Sequence, residues 1–214
     1  SQTGYALAFA LGLVPHGKRE AAAYQFKKEM ERFEGRLATG FIGTPLLLPA
    51  LHAAGLDDMA YRVLLRRDAP SWLYPVRMGA TTVWERWDGY TEEKGYADSG
   101  MNSFNHYAFG SVGEYLFSVI GGIKERSPGY GEFYIRPVIG RGLSWAKVSF
   151  HSIHGEIFVF WTDRGKVAEV EVGVPVNTRC YLTLPWGGGD DFVLRAVLVQ
   201  ESSSGQPMIR RDRI

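Results

Sequence analysis

The sequence predicts an α+β protein in which a helical segment precedes an antiparallel β-sandwich. Three observations support this prediction. Apolar residues recur every three or four positions before residue 128, and they alternate with polar residues after residue 131. The turn-forming stretch Ser127-Pro128-Gly129 separates the two patterns. We therefore predict two domains, one of residues 1–127 and one of residues 128–214.

Four or five helices are predicted in the first segment from periodicity and capping residues. The chain opens on a helical pattern, and the apolar residues of 21–37 lie on one helix face because they are spaced by four, three and four positions: Phe26, Met30, Phe33 and Leu37. Thr44-Pro45 and Gly55 are residue types that begin and end a helix, and Asp57-Asp58 begin the next. The last predicted helix covers residues 102–120, where two glycines follow.

The second segment predicts five to seven short strands. EIFVFW, residues 156–161, is apolar on both faces, which is typical of a central strand. Asp163-Arg164-Gly165 has the composition of a hairpin turn. After it, valines at 170, 172 and 174 alternate with glutamates, as in a half-buried strand. RCYLTLP and FVLRAVLV supply two further strands, and the whole pattern indicates a sandwich.

Composition excludes several function classes. The formal net charge is +1, with 45% hydrophobic and 22% charged residues, and no dense Lys/Arg patch suggests nucleic acid as a partner. The chain has neither a signal peptide nor an apolar run of ~20 residues, so no membrane span is predicted. Its single cysteine, Cys180, allows no intrachain disulfide and is expected to be an inert buried thiol.

No metal site is predicted either. His151 and His154 lie three positions apart in a strand-like segment, so they would point to opposite faces. Neither a zinc-binding helix motif nor a calcium-loop motif occurs. Aromatic residues, at 14%, are unusually frequent, and rings with polar edges suit both sugar binding and core packing.

The candidate chemistry lies in the long connection between residues 68 and 101, because long connections in compact helical domains are often functional. GATTVWERWDGY, residues 79–90, places Glu85 between Trp84 and Trp87. This glutamate is either a surface carboxylate paired with Arg86 or an acid/base group in an aromatic cleft. His106, near the start of the last helix, is either structural or a hydrogen-bond donor to a substrate hydroxyl.

Three longer motifs resemble the C-terminal part of the α-L-rhamnosidases of glycoside hydrolase family 78. They are GATTVWERWDGY, GMNSFNHYAFGSVGEYLFSVIGGI and PGYGEFYIRPVIGRGLSWAKVSF. SQTGYALAFALGLVP and LATGFIGTPLLLPALHAAG fit the same family upstream, so the resemblance extends over residues 1–185. It implies the C-terminal part of an (α/α)6 toroid followed by a β-sandwich. It also implies cleavage of terminal α-L-rhamnose from a glycan or glycoside, with inversion and without a cofactor.

The resemblance also assigns residues. The glutamate of the family's TxWExW segment is the general base, here Glu85, and the histidine of FNHYAFG binds the sugar, here His106. Trp84 and Trp87 are expected to wall in the sugar, and Asn105 to bind substrate; Asn105 and Arg86 are candidate polar neighbours of the glutamate.

The sequence departs from the family pattern at one point. The family's general acid lies in an acidic loop with Asp, Arg, Gly and Trp early in the toroid, and no such segment occurs in these 214 residues. We therefore expect the chain to be part of a longer parent whose N-terminal part supplies the acid, and we expect the isolated chain to be inactive. A non-catalytic carbohydrate-binding protein of the same fold is the alternative. Apolar helix faces left uncovered would favour a homo-oligomer.

Overall fold

The computed structural model describes residues 1–165 and 167–184, together with the backbone of residues 191–201 and 207–213. The chain forms two compact units, Ser1–Tyr115 and Leu116–Ile214. The first contains all the α-helices of the described residues, and the second contains the two larger sheets together with two short helical segments, the π-helix Leu116–Ile120 and the 3-10 helix Pro128–Tyr130. This order confirms the predicted fold class, whereas the domain boundary between residues 127 and 128 stays a prediction.

The first unit has six α-helices and two short 3-10 helices. The helices predicted at the chain start, at Thr44 and at Asp57 are confirmed. The helix predicted over residues 21–37 is confirmed only as far as Arg32, and Phe33 and Leu37 lie beyond its end. The α-helices are α1 (Gln2–Ala10), α2 (Arg19–Arg32), α3 (Thr44–Ala53), α4 (Asp57–Leu64), α5 (Leu73–Arg77) and α6 (Val112–Tyr115), and the 3-10 helices are His16–Lys18 and Ala108–Ser111.

The core of this unit follows the predicted helix faces. Phe26 and Met30 of α2 are fully buried, and the Phe26 ring stacks on Tyr5 and Phe9 of α1 at 5.4 and 5.8 Å. Burying each of these large side chains contributes roughly 1.5–3 kcal/mol. Leu11, Leu13 and Ile42 are exposed, and the formation of a homo-oligomer stays a prediction.

The helix predicted over residues 102–120 is wrong at its start. Residues 102–107 are not helical, and helical structure begins with the 3-10 turn at Ala108. The reason is a competing long-range pairing: Glu85 N–H donates to Ser103 O at 2.9 Å, and His106 N–H donates to Val83 O at 2.8 Å. These two hydrogen bonds hold the segment against residues 83–85 instead of in its own helical turn.

The predicted long connection between residues 68 and 101 contains two short elements. Helix α5 lies in its first half, and a small antiparallel hairpin lies in its second half, formed by β1 (Tyr90–Thr91) and β2 (Gly95–Tyr96). None of the helices in the described part of the chain has the length and apolar character that a bilayer crossing requires.

The second unit contains a five-stranded and a three-stranded sheet, with strand orders β10-β9-β7-β6-β5 and β3-β4-β8. Strand β6 lies between β5 and β7, which confirms the central position predicted for EIFVFW. Most pairs are antiparallel, but β9 runs parallel to β7 and β8 runs parallel to β4. The strands are β3 (Ile123–Glu125), β4 (Glu132–Ile135), β5 (Trp145–Ser152), β6 (Gly155–Asp163), β7 (Val167–Pro175), β8 (Arg179–Leu182), β9 (Asp191–Glu201) and β10 (Pro207–Arg213).

Aromatic side chains organise the core of this unit. Trp161 of β6 is fully buried, and its indole N–H donates to Ile120 O at 2.8 Å. The Tyr130 ring contacts Phe133 of the smaller sheet and Phe150 of the larger one, so it connects the two sheets. In β8, burial raises the pKa of the Cys180 thiol to about 11, so the thiol is protonated at neutral pH.

Candidate active site

The site is built on two paired segments, residues 82–86 and 103–106, which we call the site ribbon. In addition to the two backbone bonds described above, the Thr82 hydroxyl donates to Phe104 O. Trp84 and Glu85, which are consecutive in the first of these segments, line two different cavities.

Glu85 is half-buried and held in place by the opposite segment. Its carboxylate oxygen Oε2 accepts a hydrogen bond from Ser103 N–H at 2.9 Å, across 18 positions of sequence. Oε1 has no hydrogen-bond partner in the described part of the chain. The side chain is thus fixed through one oxygen while the other is available to a ligand or water.

A cavity of about 230 Å³ lies against Glu85, and we call it the Glu85 cavity. Aromatic rings and the Glu85 carboxylate share its wall, which is the combination that a sugar ring and an attacking water require. Its lining residues are Thr39, Gly40, Phe41, Glu85, Arg86, Trp87, Asp88 and Phe109.

Trp87 forms one wall of this cavity, and its ring is firmly supported. It stacks on Phe109 with ring centres 4.0 Å apart, and its edge meets Trp72 at 5.4 Å. The Trp72 indole N–H in turn donates to Phe109 O at 2.8 Å. This packing leaves Trp87 little freedom to rotate, and its contact with the sugar stays a prediction.

Trp84 does not line the Glu85 cavity. It is 7% exposed, meets the Phe104 ring edge-on at 5.0 Å, and lines a separate cavity. The structure therefore does not bring the two tryptophans together around the carboxylate. Substrate binding by Trp84 stays a prediction, and it would take place in that separate cavity.

His106 joins the ribbon to the Glu85 cavity through Phe41. The imidazole stacks on Phe41 at 5.1 Å, and the Phe41 ring, which lines the cavity, also contacts Phe109 at 5.2 Å. The Nδ1 atom of His106 accepts a hydrogen bond from Ala108 N–H at 3.2 Å. In the neutral ring this acceptor role places the proton on Nε2, which becomes a hydrogen-bond donor.

The two polar neighbours expected for Glu85 are engaged differently. Arg86 binds Asp88 through two hydrogen bonds of 3.0 Å, and this pairing holds the pKa of the Asp88 carboxyl below its ordinary value. Asn105 is exposed, and its backbone N–H donates to Ser103 Oγ at 3.2 Å. Ser103 N–H is therefore the partner of the carboxylate, and substrate binding by Asn105 stays a prediction.

Sequence reasoning missed the loop of residues 39–41, which supplies part of the wall of the Glu85 cavity. Its only local signal is a phenylalanine between two glycines, Gly40 and Gly43. The segment before the loop is anchored by Gln2, which is 1% exposed. The Gln2 carboxamide donates to Arg36 O at 2.8 Å and accepts from Ala38 N–H at 2.9 Å, as a neighbouring strand would.

Replacing Gln2 with Leu is expected to destabilise the chain by about 1–3 kcal/mol, because Arg36 O and Ala38 N–H lose their partners. Urea unfolding followed by circular dichroism measures this loss. Gln25→Leu, at an exposed position of α2, is the matched control and should change the free energy of unfolding by less than about 0.5 kcal/mol. Equal stability of the two variants would show that the carboxamide does not hold the segment.

Comparisons of the chain with family models, with curated proteins and with solved structures all point to one family. Two family models match the chain: the bacterial alpha-L-rhamnosidase 6 hairpin glycosidase domain over residues 1–120 and the bacterial alpha-L-rhamnosidase C-terminal domain over residues 122–195. A Streptomyces avermitilis alpha-L-rhamnosidase is 42% identical over 185 residues, which is 86% of this chain and 18% of that protein. One from Formosa agariphila is 36% identical over the same share of this chain and 20% of its own length.

Solved structures agree with these relatives. The Streptomyces avermitilis alpha-L-rhamnosidase complexed with L-rhamnose is similar with a TM-score of 0.78 and 34% identity, covering 100% of this chain and 21% of that one. The Aspergillus terreus enzyme is similar with a TM-score of 0.77 and 32% identity, over 100% of this chain and 24% of that one. The chain thus spans about a fifth of the length of the relatives it matches.

Proposed function

Because the chain belongs to the bacterial α-L-rhamnosidase 6-hairpin glycosidase family, we propose that it forms part of a longer glycoside hydrolase that releases terminal α-L-rhamnose. One observation carries the proposal at the level of residues. Glu85 is a carboxylate held through one oxygen at the wall of an aromatic cavity, with its other oxygen available. The substrate proposed is a rhamnose-terminated glycan or glycoside.

The proposed reaction is a single displacement with Glu85 as general base. The oxygen of a water molecule attacks the anomeric carbon, Glu85 takes a proton from that water, and the bond to the leaving oxygen breaks. A second carboxyl group, supplied by another part of the longer protein, protonates the leaving oxygen. Inverting enzymes hold the two carboxyl groups about 6.5–9.5 Å apart, which leaves space for the water.

Two rings that line the Glu85 cavity, and His106, which stacks on one of them, would orient the sugar. Phe41 and Trp87 offer apolar ring faces to the apolar side of a deoxyhexose, including its C6 methyl group. The Nε2–H of His106 is available to donate to a sugar hydroxyl, because Nδ1 is already occupied by Ala108 N–H. The site would therefore select for shape through its rings and for hydroxyl position through its imidazole.

The anomeric form of the first product tests this mechanism. Proton NMR of early hydrolysis of an aryl α-L-rhamnoside by the longer protein should show β-L-rhamnose first, which then equilibrates with the α form. The initial appearance of α-L-rhamnose would mean retention of configuration. That result would make a carboxylate of the site a nucleophile instead of a base, with the two carboxyl groups only about 5–5.5 Å apart.

A His106→Phe substitution in the longer protein should lower kcat/KM for aryl rhamnoside by about tenfold. The ring stack on Phe41 is kept while the hydrogen bond to the sugar is lost, and a bond of this kind is worth about 1.4 kcal/mol or tenfold. Steady-state kinetics measure the change. His16→Phe, at an exposed position remote in sequence, should leave kcat/KM unchanged, and the same result for His106→Phe would exclude a contact with the sugar.

A further inference from the structure

Residues of the site ribbon also line a second cavity, which we call the Trp84 cavity. Its volume is about 500 Å³, roughly twice that of the Glu85 cavity at about 230 Å³. It is lined by residues 78–82, Trp84, Tyr90, Tyr96 and Phe104. Since Trp84 and Glu85 are consecutive in the ribbon, the two cavities lie near each other.

Four aromatic rings surround this second cavity in a connected series. The Trp84 and Phe104 rings meet edge to face at 5.0 Å, Phe104 and Tyr96 at 5.6 Å, and Tyr96 and Tyr90 at 5.1 Å. An edge-to-face contact covers one face of only one of its two rings, and a ring face that stays uncovered can stack on the apolar side of a sugar. Tyr96 is 75% exposed and Trp84 is 7% exposed, so the series runs from an open rim to a buried floor.

Hydroxyl groups also line the Trp84 cavity. The hydroxyls of Thr81, Tyr90 and Tyr96 make no hydrogen bond to any residue that the structure describes. None of the lining residues carries a charge. A cavity with aromatic faces, available hydroxyls and no charged group matches a neutral, polyhydroxylated ligand and offers nothing to pair with an ion.

We propose that the Trp84 cavity binds a second, neutral saccharide unit of the same glycan whose terminal sugar enters the Glu85 cavity. This inference rests on the proposed function, because it assigns to one substrate two sites that are both lined by residues of the site ribbon. The second site takes no part in bond cleavage. It increases affinity for substrates that are long enough to reach both cavities.

Turnover of two substrates by the longer protein tests this proposal. Tyr96→Ala should raise KM for a neutral rhamnose-terminated oligosaccharide by about tenfold, the effect of losing one ring contact and one hydroxyl, while kcat stays the same. With an aryl rhamnoside, which reaches only the Glu85 cavity, the variant should behave as the wild type. Tyr24→Ala, at an exposed tyrosine of α2, is the control and should change KM and kcat for neither substrate. An equal effect on both substrates, or none on either, overturns the proposal.

A binding experiment separates this proposal from the failure of the proposed function. Calorimetry of the longer protein carrying Glu85→Gln, titrated with the same oligosaccharide, measures affinity without turnover. Adding Tyr96→Ala should weaken binding by about tenfold. If the wild type hydrolyses neither substrate, the proposed function fails, and this titration still decides the matter: a tenfold weakening supports the second site and an unchanged affinity overturns it.

Discussion

Replacing Glu85 with Gln in the longer protein is expected to lower kcat for aryl α-L-rhamnoside hydrolysis by about 10²–10⁴-fold, because a positioned general base contributes that much. The amide cannot take the proton of the attacking water. Its oxygen can still accept the hydrogen bond from Ser103 N–H, so the side chain keeps its place and KM should change little. Steady-state kinetics of the purified variant measure both parameters.

The matched control is Glu93→Gln, which makes the same chemical change at an exposed position between β1 and β2. It should retain wild-type kinetics, and circular dichroism should show both variants folded. If the kcat of Glu85→Gln stays within about threefold of the wild-type value, the loss is far smaller than the removal of a general base would cause. Glu85 would then not perform the proton transfer.

The second large effect is expected at Gly122, in the second unit. The residue has φ +70°, and a Cβ atom there would overlap with the backbone of Arg136 and Pro137. Its carbonyl also accepts a hydrogen bond from Arg136 N–H at 2.9 Å. Gly122→Ala should therefore destabilise the chain by at least about 3 kcal/mol, since it adds overpacking to the strain of a left-handed backbone.

A Gly165→Ala variant separates the effect of backbone strain from the effect of overpacking. Gly165 also has a left-handed backbone, with φ +86°, but no atom of the described residues lies within 4 Å of the added Cβ. Its cost should be only the backbone strain of about 1–2 kcal/mol. Urea unfolding of both variants, followed by circular dichroism, gives the comparison, and equal losses of stability would show that the close approach at Gly122 is relaxed at little cost.

The elements that sequence predicts well are those specified by neighbouring residues. The face of α2 follows from Phe26 and Met30, and the start of α3 follows from Thr44-Pro45. The non-helical state of residues 102–107 could not be predicted in this way. It depends on partners about 18 positions earlier, since Glu85 exchanges hydrogen bonds with Ser103. Local periodicity contains no information about such a pairing.

The same distinction applies to the site. Glu85 and His106 could be identified from motifs, because the residues around them in sequence are distinctive. Phe41 comes from a loop more than forty positions upstream of Glu85, and a phenylalanine between glycines has no chemistry of its own to indicate its use. The separation of Trp84 from Trp87 could not be predicted either, since it depends on the ring that each packs against, Phe104 for Trp84 and Phe109 for Trp87.

The most direct test of the central claim is a crystal structure of the longer protein with bound L-rhamnose. The sugar should occupy the Glu85 cavity against Phe41 and Trp87, with a Glu85 carboxylate oxygen close enough to the anomeric carbon for one water to lie between them. A rhamnose bound elsewhere in the protein, with this cavity empty of sugar, would contradict the assignment of Glu85 as the general base.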